Sequence, residues 1–76
     1  MQNLSEEDRA AAIEGMVEGL RARLETEPND PQGWVMLLRS RKILGQEDKA
    51  KADMETLRQV LPDQVDAIIA QSGWGN

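Results

Sequence analysis

The sequence lacks four residue types that carry much of protein chemistry: its 76 residues include no cysteine, histidine, tyrosine or phenylalanine. Without cysteine there is no disulfide, no thiolate nucleophile and no cysteine-containing zinc site. Without histidine the commonest general base and metal ligand is missing, and so is any histidine-ligated haem. We therefore predict a protein that is not an enzyme and that has no catalytic residue, cofactor or metal site.

Positive charge and long apolar runs are also scarce. Nine basic residues stand against fourteen acidic ones, which gives a formal net charge of −5. The one stretch rich in bases, residues 39–51, is interrupted at its turn by Glu47 and Asp48. Because these acids would face phosphate, nucleic acid is not expected as a partner. The apolar runs are too short for a membrane span or a signal peptide within this chain.

Proline and glycine divide the sequence into four segments with helical periodicity and no strand-like alternation. The first covers residues 5–27, with Ser5 as the capping residue before three acids. Gly15 and Gly19 lower helix propensity there by roughly 1 kcal/mol each, which indicates either close approach of another element or a weak helix. The apolar stripe of this segment consists of Ile13, Met16, Val17, Leu20 and Leu24.

The remaining segments predict a helical hairpin over residues 31–61, a closing helix over 63–72 and a loose tail at 73–76. Asp30 and Pro31 are typical of a helix start, and Gly45 is typical of a left-handed helix end. Trp34 is expected to pack between the helices. Trp74 either folds back over the last helix or stays exposed for a partner, and the folded-back arrangement is favoured.

A period of 34 residues relates the two halves of the chain, since it separates Pro28 from Pro62 and Trp34 from Ile68. This is the length of a tetratricopeptide (TPR) repeat, a helix-turn-helix unit that stacks on its neighbours. The predicted fold class is therefore all-α and TPR-like: a single domain over residues 1–76 with about four helices. One complete repeat follows a long helix and precedes a short capping helix.

Individual residues match the TPR motif at some positions and depart from it at others. Trp34, Leu37, Ala50 and Pro62 stand where the motif has Trp, Leu, Ala and Pro. Met54 replaces a phenylalanine, Leu38 a glycine and Arg41 a tyrosine. A further set, within residues 4–52, goes beyond the general repeat: Met16, Val17, Leu20, Leu24, Pro28, Asp30, Gly33, Trp34, Leu37, Leu44, Gly45 and Ala50.

This set resembles the TPR subunit of the bacterial cytochrome c maturation apparatus, the CcmI/CycH type. The resemblance implies a periplasmic domain of a protein that is anchored in the inner membrane by a segment outside this chain. If the resemblance does not hold, a cytoplasmic location is expected. It also implies a chaperone-like role in c-type cytochrome biogenesis. The implied partners are unfolded apocytochrome c, chiefly its C-terminal helix, and other maturation subunits that carry out the haem chemistry.

TPR arrays bind peptides on the surface lined by the first helix of each repeat. In this chain the residues expected on that surface are Gln32, Val35, Met36, Arg39, Lys42 and Ile43. They would offer apolar and basic contacts to an amphipathic helix lying in a groove. The alternative is that the basic residues form a solvated face that offsets the acidic first helix.

A different class of function is structural self-association, or a generic adaptor role. A single hairpin cannot bury its own apolar face, and repeat proteins need about three units for stability. We therefore expect either a homo-oligomer or a larger parent protein from which these residues come.

Overall fold

A computed structural model describes residues 6–74 and shows four helices, with no strand among these residues. The helices are α1 (Glu6–Thr26), α2 (Pro31–Leu44), α3 (Glu47–Val60) and α4 (Val65–Ser72). The all-α prediction is confirmed, and the arrangement is TPR-like. Ser5, the predicted capping residue, lies outside the described residues. No helix in the described part of the chain is both long and apolar enough to cross a membrane.

The start and end of α2 follow from its sequence. Asp30 accepts a hydrogen bond from the backbone N–H of Gly33 at 3.1 Å, and Pro31 occupies the first turn, where its missing N–H has no cost. A Cβ atom on Gly33 would lie only 2.7 Å from an Asp30 carboxylate oxygen, so a larger residue there would displace the capping side chain. At the other end Gly45 adopts φ 72°, a left-handed conformation that glycine reaches without strain.

The core forms around α2, which contacts each of the other three helices. Trp34 is fully buried, and its indole N–H donates to the carbonyl oxygen of Pro28 at 2.8 Å, so the one polar atom of the ring is satisfied. The prediction that Trp34 packs in the interior is confirmed. The side chains buried with it come from all four helices: Val17, Leu24, Val35, Leu37, Leu38, Ala50, Leu57, Val65 and Ile68.

For α1 the structure decides between two alternatives and corrects one expectation. A Cβ atom on Gly15 or Gly19 would meet nothing within 4 Å, so no described element approaches them closely, and the weak-helix alternative applies. Met16, predicted in the apolar stripe, is 74% exposed. It lies at the edge of that stripe, about 60° around the helix from Ile13 at 100° per residue, and therefore points past α2 rather than toward it.

Candidate protein-binding site

The structure divides the six predicted partner-binding residues of α2 into three groups. Gln32, Met36 and Ile43 are exposed on one face of the helix, with Met36 61% and Ile43 72% exposed. Val35 is buried in the core. Arg39 and Lys42 are exposed, but both contact the end of α4.

Arg39 and Lys42 bind carbonyl groups at the C-terminal end of α4. Arg39 donates to the carbonyl oxygen of Gln71 at 3.1 Å, and Lys42 donates to that of Gly73 at 2.7 Å. The last turn of α4 has no basic residue of its own, so α2 supplies the positive charge that the helix dipole favours there. These two side chains are exposed at the surface, and they also stabilise the packing of α4 against α2.

Trp74 lies against the same side of the molecule. Its indole N–H donates to the carbonyl oxygen of Leu38 at 2.7 Å, and its ring packs partly buried against the core. Of the two arrangements considered for Trp74, the structure therefore shows the one in which the ring folds back against the protein. Of the predicted loose tail, Gly73 and Trp74 are both held by α2, while residues 75–76 lie outside the described part of the chain.

An open groove runs between α1 and α2 on the other side of α2. One hollow of about 390 Å³ is lined by both helices, and a neighbouring hollow of about 270 Å³ continues it toward the start of α1. Ile13 lines both hollows. We call this surface the α1–α2 groove, and it consists of Arg9, Ala10, Ile13, Met16, Val17, Leu20, Arg23, Met36, Ser40, Ile43 and Leu44.

The groove concentrates the exposed apolar surface of the described residues. Their exposed large hydrophobic residues are Met16, Met36, Ile43 and Val60, and all but Val60 line the groove. Methionine side chains are flexible and adapt to differently shaped partners. Clustered exposed apolar groups are typical of surfaces that contact a partner, which makes the groove the candidate site. The sequence pattern located the α2 side of this cluster but missed α1.

The sequence analysis also missed a buried ionic network on the opposite side of α1. Arg41 and Asp53 are only 2% and 4% exposed, and the Nε atom of Arg41 donates to the Asp53 carboxylate at 2.8 Å. Arg41 also donates to Glu18 at 2.9 Å, and Arg21 donates to the second oxygen of Asp53 at 2.9 Å. The network therefore ties α1, α2 and α3 together.

The charges of this network change the protonation equilibria of two of its members. The hydrogen bond from Arg41 lowers the pKa of Glu18 below its usual value of 4.5. For Arg41, burial alone would lower the pKa, but hydrogen bonds to Asp53 and Glu18 outweigh burial and raise it. Both groups are therefore charged at neutral pH, and the network has a structural role.

Few charged side chains of α1 line the groove. Glu14 and Glu18 lie on a different face of α1 from the groove, where both approach Lys49 of α3 at 3.7 Å. No aspartate or glutamate lines either hollow, whereas Arg9 lines one and Arg23 the other. The groove is therefore apolar with one arginine toward each end, and the charge of Arg23 is paired with Asp30 at 2.9 Å.

Fold and groove together define a small all-α, TPR-like helical domain with an open apolar surface between its first two helices. No family model and no solved structure matches the chain. Two known proteins are similar to the chain in sequence. Both are cytochrome c-type biogenesis proteins named CycH.

The first relative, from Bradyrhizobium diazoefficiens, is 38% identical over 60 residues, which are 79% of this chain and 16% of that protein. The second, from Rhizobium meliloti, is 48% identical over 44 residues, which are 58% of this chain and 12% of that protein. The resemblance to the CcmI/CycH type is confirmed. The chain corresponds to less than a fifth of the length of either relative.

Proposed function

We propose that this chain is a non-enzymatic protein-binding module that acts in c-type cytochrome biogenesis. The observation that carries the proposal is the exposed face of α2, where Met36 and Ile43 present apolar surface beside the polar side chain of Gln32. The relatives support the biological setting, since both are named for cytochrome c-type biogenesis.

The partner we propose is unfolded apocytochrome c, bound through its C-terminal helix. An amphipathic helix would bury its apolar face on α2, which is the helix-in-groove mode of peptide recognition. We propose a periplasmic location and a chaperone role, with other maturation subunits as further partners. Haem attachment belongs to those subunits in this proposal, and the module holds the polypeptide.

The test is a titration of the 76-residue chain into a dye-labelled peptide from the C-terminal helix of an apocytochrome c, followed by fluorescence anisotropy. Saturable binding at micromolar concentrations is expected. Replacing both Met36 and Ile43 with glutamine should weaken it at least tenfold, because each loses about 1 kcal/mol or more of apolar burial. Val60→Gln is the matched control, since Val60 is an exposed apolar residue outside the groove. Absence of binding at a few hundred micromolar would contradict the proposal.

Self-association is the second candidate function, because the same exposed apolar residues could pair with a second copy. Sedimentation over a concentration series distinguishes it from peptide binding. A chain that remains monomeric at high concentration has no such function.

A further inference from the structure

The 34-residue period relates an exposed face of α1 to a buried face of α3. The buried residues of α3, a helix that packs against α2, are Ala50, Asp53 and Leu57. A shift of 34 residues toward the start of the chain places them on Met16, Gly19 and Arg23 of α1. All three of these equivalents are exposed. The face that is buried on α3 is therefore open on α1.

The α1–α2 groove lies where the repeat geometry places one more helix. Val65, the start of α4, comes 34 residues after Pro31, the start of α2, so α3 and α4 are the equivalents of α1 and α2. Within the chain, α2 packs against both α3 and α4. A helix equivalent to α2, one repeat earlier, would pack against both α1 and α2, which are the two walls of the groove.

No repeat turn joins α1 to a helix in this groove. In the chain α2 is joined to α3 through Gly45 and Gln46, with Gly45 in the left-handed conformation. The shift places these two residues on Ala11 and Ala12, which lie inside α1. The helix that fits the groove is therefore not connected to α1 as α2 is to α3, and this favours a helix that belongs to a separate protein.

A second copy of the chain offers no helix of suitable length. Its α2 is held in the core by contacts with the other three helices. Its α4 has eight residues, which at 1.5 Å per residue extend for about 12 Å. The wall of the groove on α1 runs from Arg9 to Arg23, or about 21 Å. This length matches a helix of 14 residues, which is the length of α2.

The residues around Gly19 determine which side chain such a helix can place there. In the chain the Nε atom of Arg41 donates to Asp53 at 2.8 Å, and the equivalent of Asp53 on α1 is Gly19. The neighbours of Gly19 one turn away along α1 include no carboxylate: Gly15, Met16, Ala22 and Arg23. An arginine at the position of Arg41 would therefore be buried without a partner, which is costly.

A large uncharged side chain suits the same place. A Cβ atom on Gly19 would meet nothing within 4 Å, so there is open space above this residue. The TPR motif has a tyrosine at the position where this chain has Arg41. A tyrosine ring could cover Gly19 and the exposed side chain of Met16 while its hydroxyl stays at the rim.

We propose that the α1–α2 groove binds the first helix of a TPR repeat in a partner protein, with a large uncharged residue over Gly19 at the position of Arg41. The inference goes beyond the proposed function, because this helix is not a client segment but a further member of the helical stack. It would lie beside α2 and widen the surface that first helices offer to a client. Its test uses Met16 and Gly19, which the proposed function does not involve.

The test compares two dye-labelled helical peptides that have the sequence of residues 28–46, one unchanged and one carrying Arg41→Tyr. In anisotropy titrations of the whole chain, the tyrosine peptide should bind at least tenfold more tightly than the arginine peptide. Gly19→Asp in the chain recreates the carboxylate of Asp53, and it should lower this preference at least tenfold. A preference that reflected only the greater hydrophobicity of tyrosine would not respond to Gly19→Asp.

Gly15→Asp is the matched control for this variant. It adds the same charge at the other glycine of α1 that has open space around it. The equivalent of Gly15 on α3 is Lys49, an exposed residue, so Gly15→Asp should leave the preference unchanged. Met16→Gln should weaken the tyrosine peptide about fivefold, whereas Val60→Gln should leave its affinity unchanged. Unchanged helicity by circular dichroism confirms that each variant folds.

Equal affinity for the two peptides overturns the inference, as does a preference that Gly19→Asp leaves unchanged or binding that Met16→Gln does not weaken. If the tyrosine peptide binds as expected but no apocytochrome segment binds, the proposed function fails and the inference stands. If an apocytochrome segment binds and the tyrosine peptide does not, the inference fails and the proposed function stands. Self-association that Met16→Gln abolishes, without binding of the tyrosine peptide, identifies a second copy as the occupant and also overturns the inference.

Discussion

At the scale of single residues, the pairing of Arg41 with Asp53 matters for stability because both charged groups are buried. Two charges removed from water are tolerated because the hydrogen bonds between them, and those to Glu18 and Arg21, satisfy both groups. Breaking such a pair is more costly than replacing it, because the remaining charge stays buried without compensation.

We expect Asp53→Leu to lower the free energy of unfolding by about 3 kcal/mol, because it leaves Arg41 without its buried partner. Combining it with Arg41→Met should restore most of that loss, since an apolar pair of similar volume needs no compensating charge. Urea denaturation followed by circular dichroism measures both. A double variant as unstable as the single one would show that the charge pair itself is required.

The sequence could predict the apolar residues of the core far better than this pair. Trp34 and Leu37 follow helical spacing and match a repeat motif, so their burial was predictable. Arg41 lies on the same buried face of α2, four residues after Leu37, and Asp53 lies three residues after Ala50 on α3. An arginine and an aspartate that each lie on the apolar face of a neighbouring helix could have predicted a buried ion pair. Charge alone suggests a solvated surface, so the network was missed.

At the scale of helices, the glycines have opposite effects that depend on backbone conformation. Gly19 lies within α1 at helical dihedral angles with open space around it, whereas Gly45 ends α2 at φ 72°. Alanine at position 19 reduces the conformational freedom of the unfolded chain and improves helix propensity. Alanine at position 45 must adopt a left-handed conformation.

Gly19→Ala should therefore raise the free energy of unfolding by about 0.5–1 kcal/mol, and Gly45→Ala should lower it by about 1–2 kcal/mol. The two variants are controls for one another, since both make the same chemical change. Thermal unfolding followed at 222 nm gives the sign of each effect. A destabilising Gly19→Ala would indicate a contact on that face of α1.

The helix boundaries were predictable because Asp30, Pro31 and Gly45 act locally, through capping and backbone preference. The alignment of side chains between helices was not, because it depends on how α1 and α2 cross. That is why Met36 and Ile43 were predicted to be at the surface, whereas Met16 was wrongly placed in the core stripe. The contribution of α1 to the groove could therefore be identified only from the structure.

At the scale of the whole molecule, α2 is in contact with every other helix, while α1 and α4 do not touch. Losing α2 would remove the main packing partner of the other three helices, and α4 with eight residues is too short to persist alone. The folding of the chain should therefore be cooperative despite its elongated extents of 45 × 29 × 19 Å.

We expect a single thermal transition in which the calorimetric and van't Hoff enthalpies agree. Differential scanning calorimetry of the 76-residue chain measures both. A calorimetric enthalpy well above the van't Hoff value would show that the chain unfolds in more than one step.

The two tryptophans also give the protein a simple optical property. Because tyrosine and phenylalanine are absent, absorption and emission near 280–350 nm come from two indoles alone. Trp34 is sealed in the core with its N–H on Pro28, while Trp74 is partly solvated with its N–H on Leu38. Replacing either one leaves a single intrinsic chromophore. Trp34 alone would report on the core shared by the four helices, and Trp74 alone would report on the contact between α2 and the end of α4.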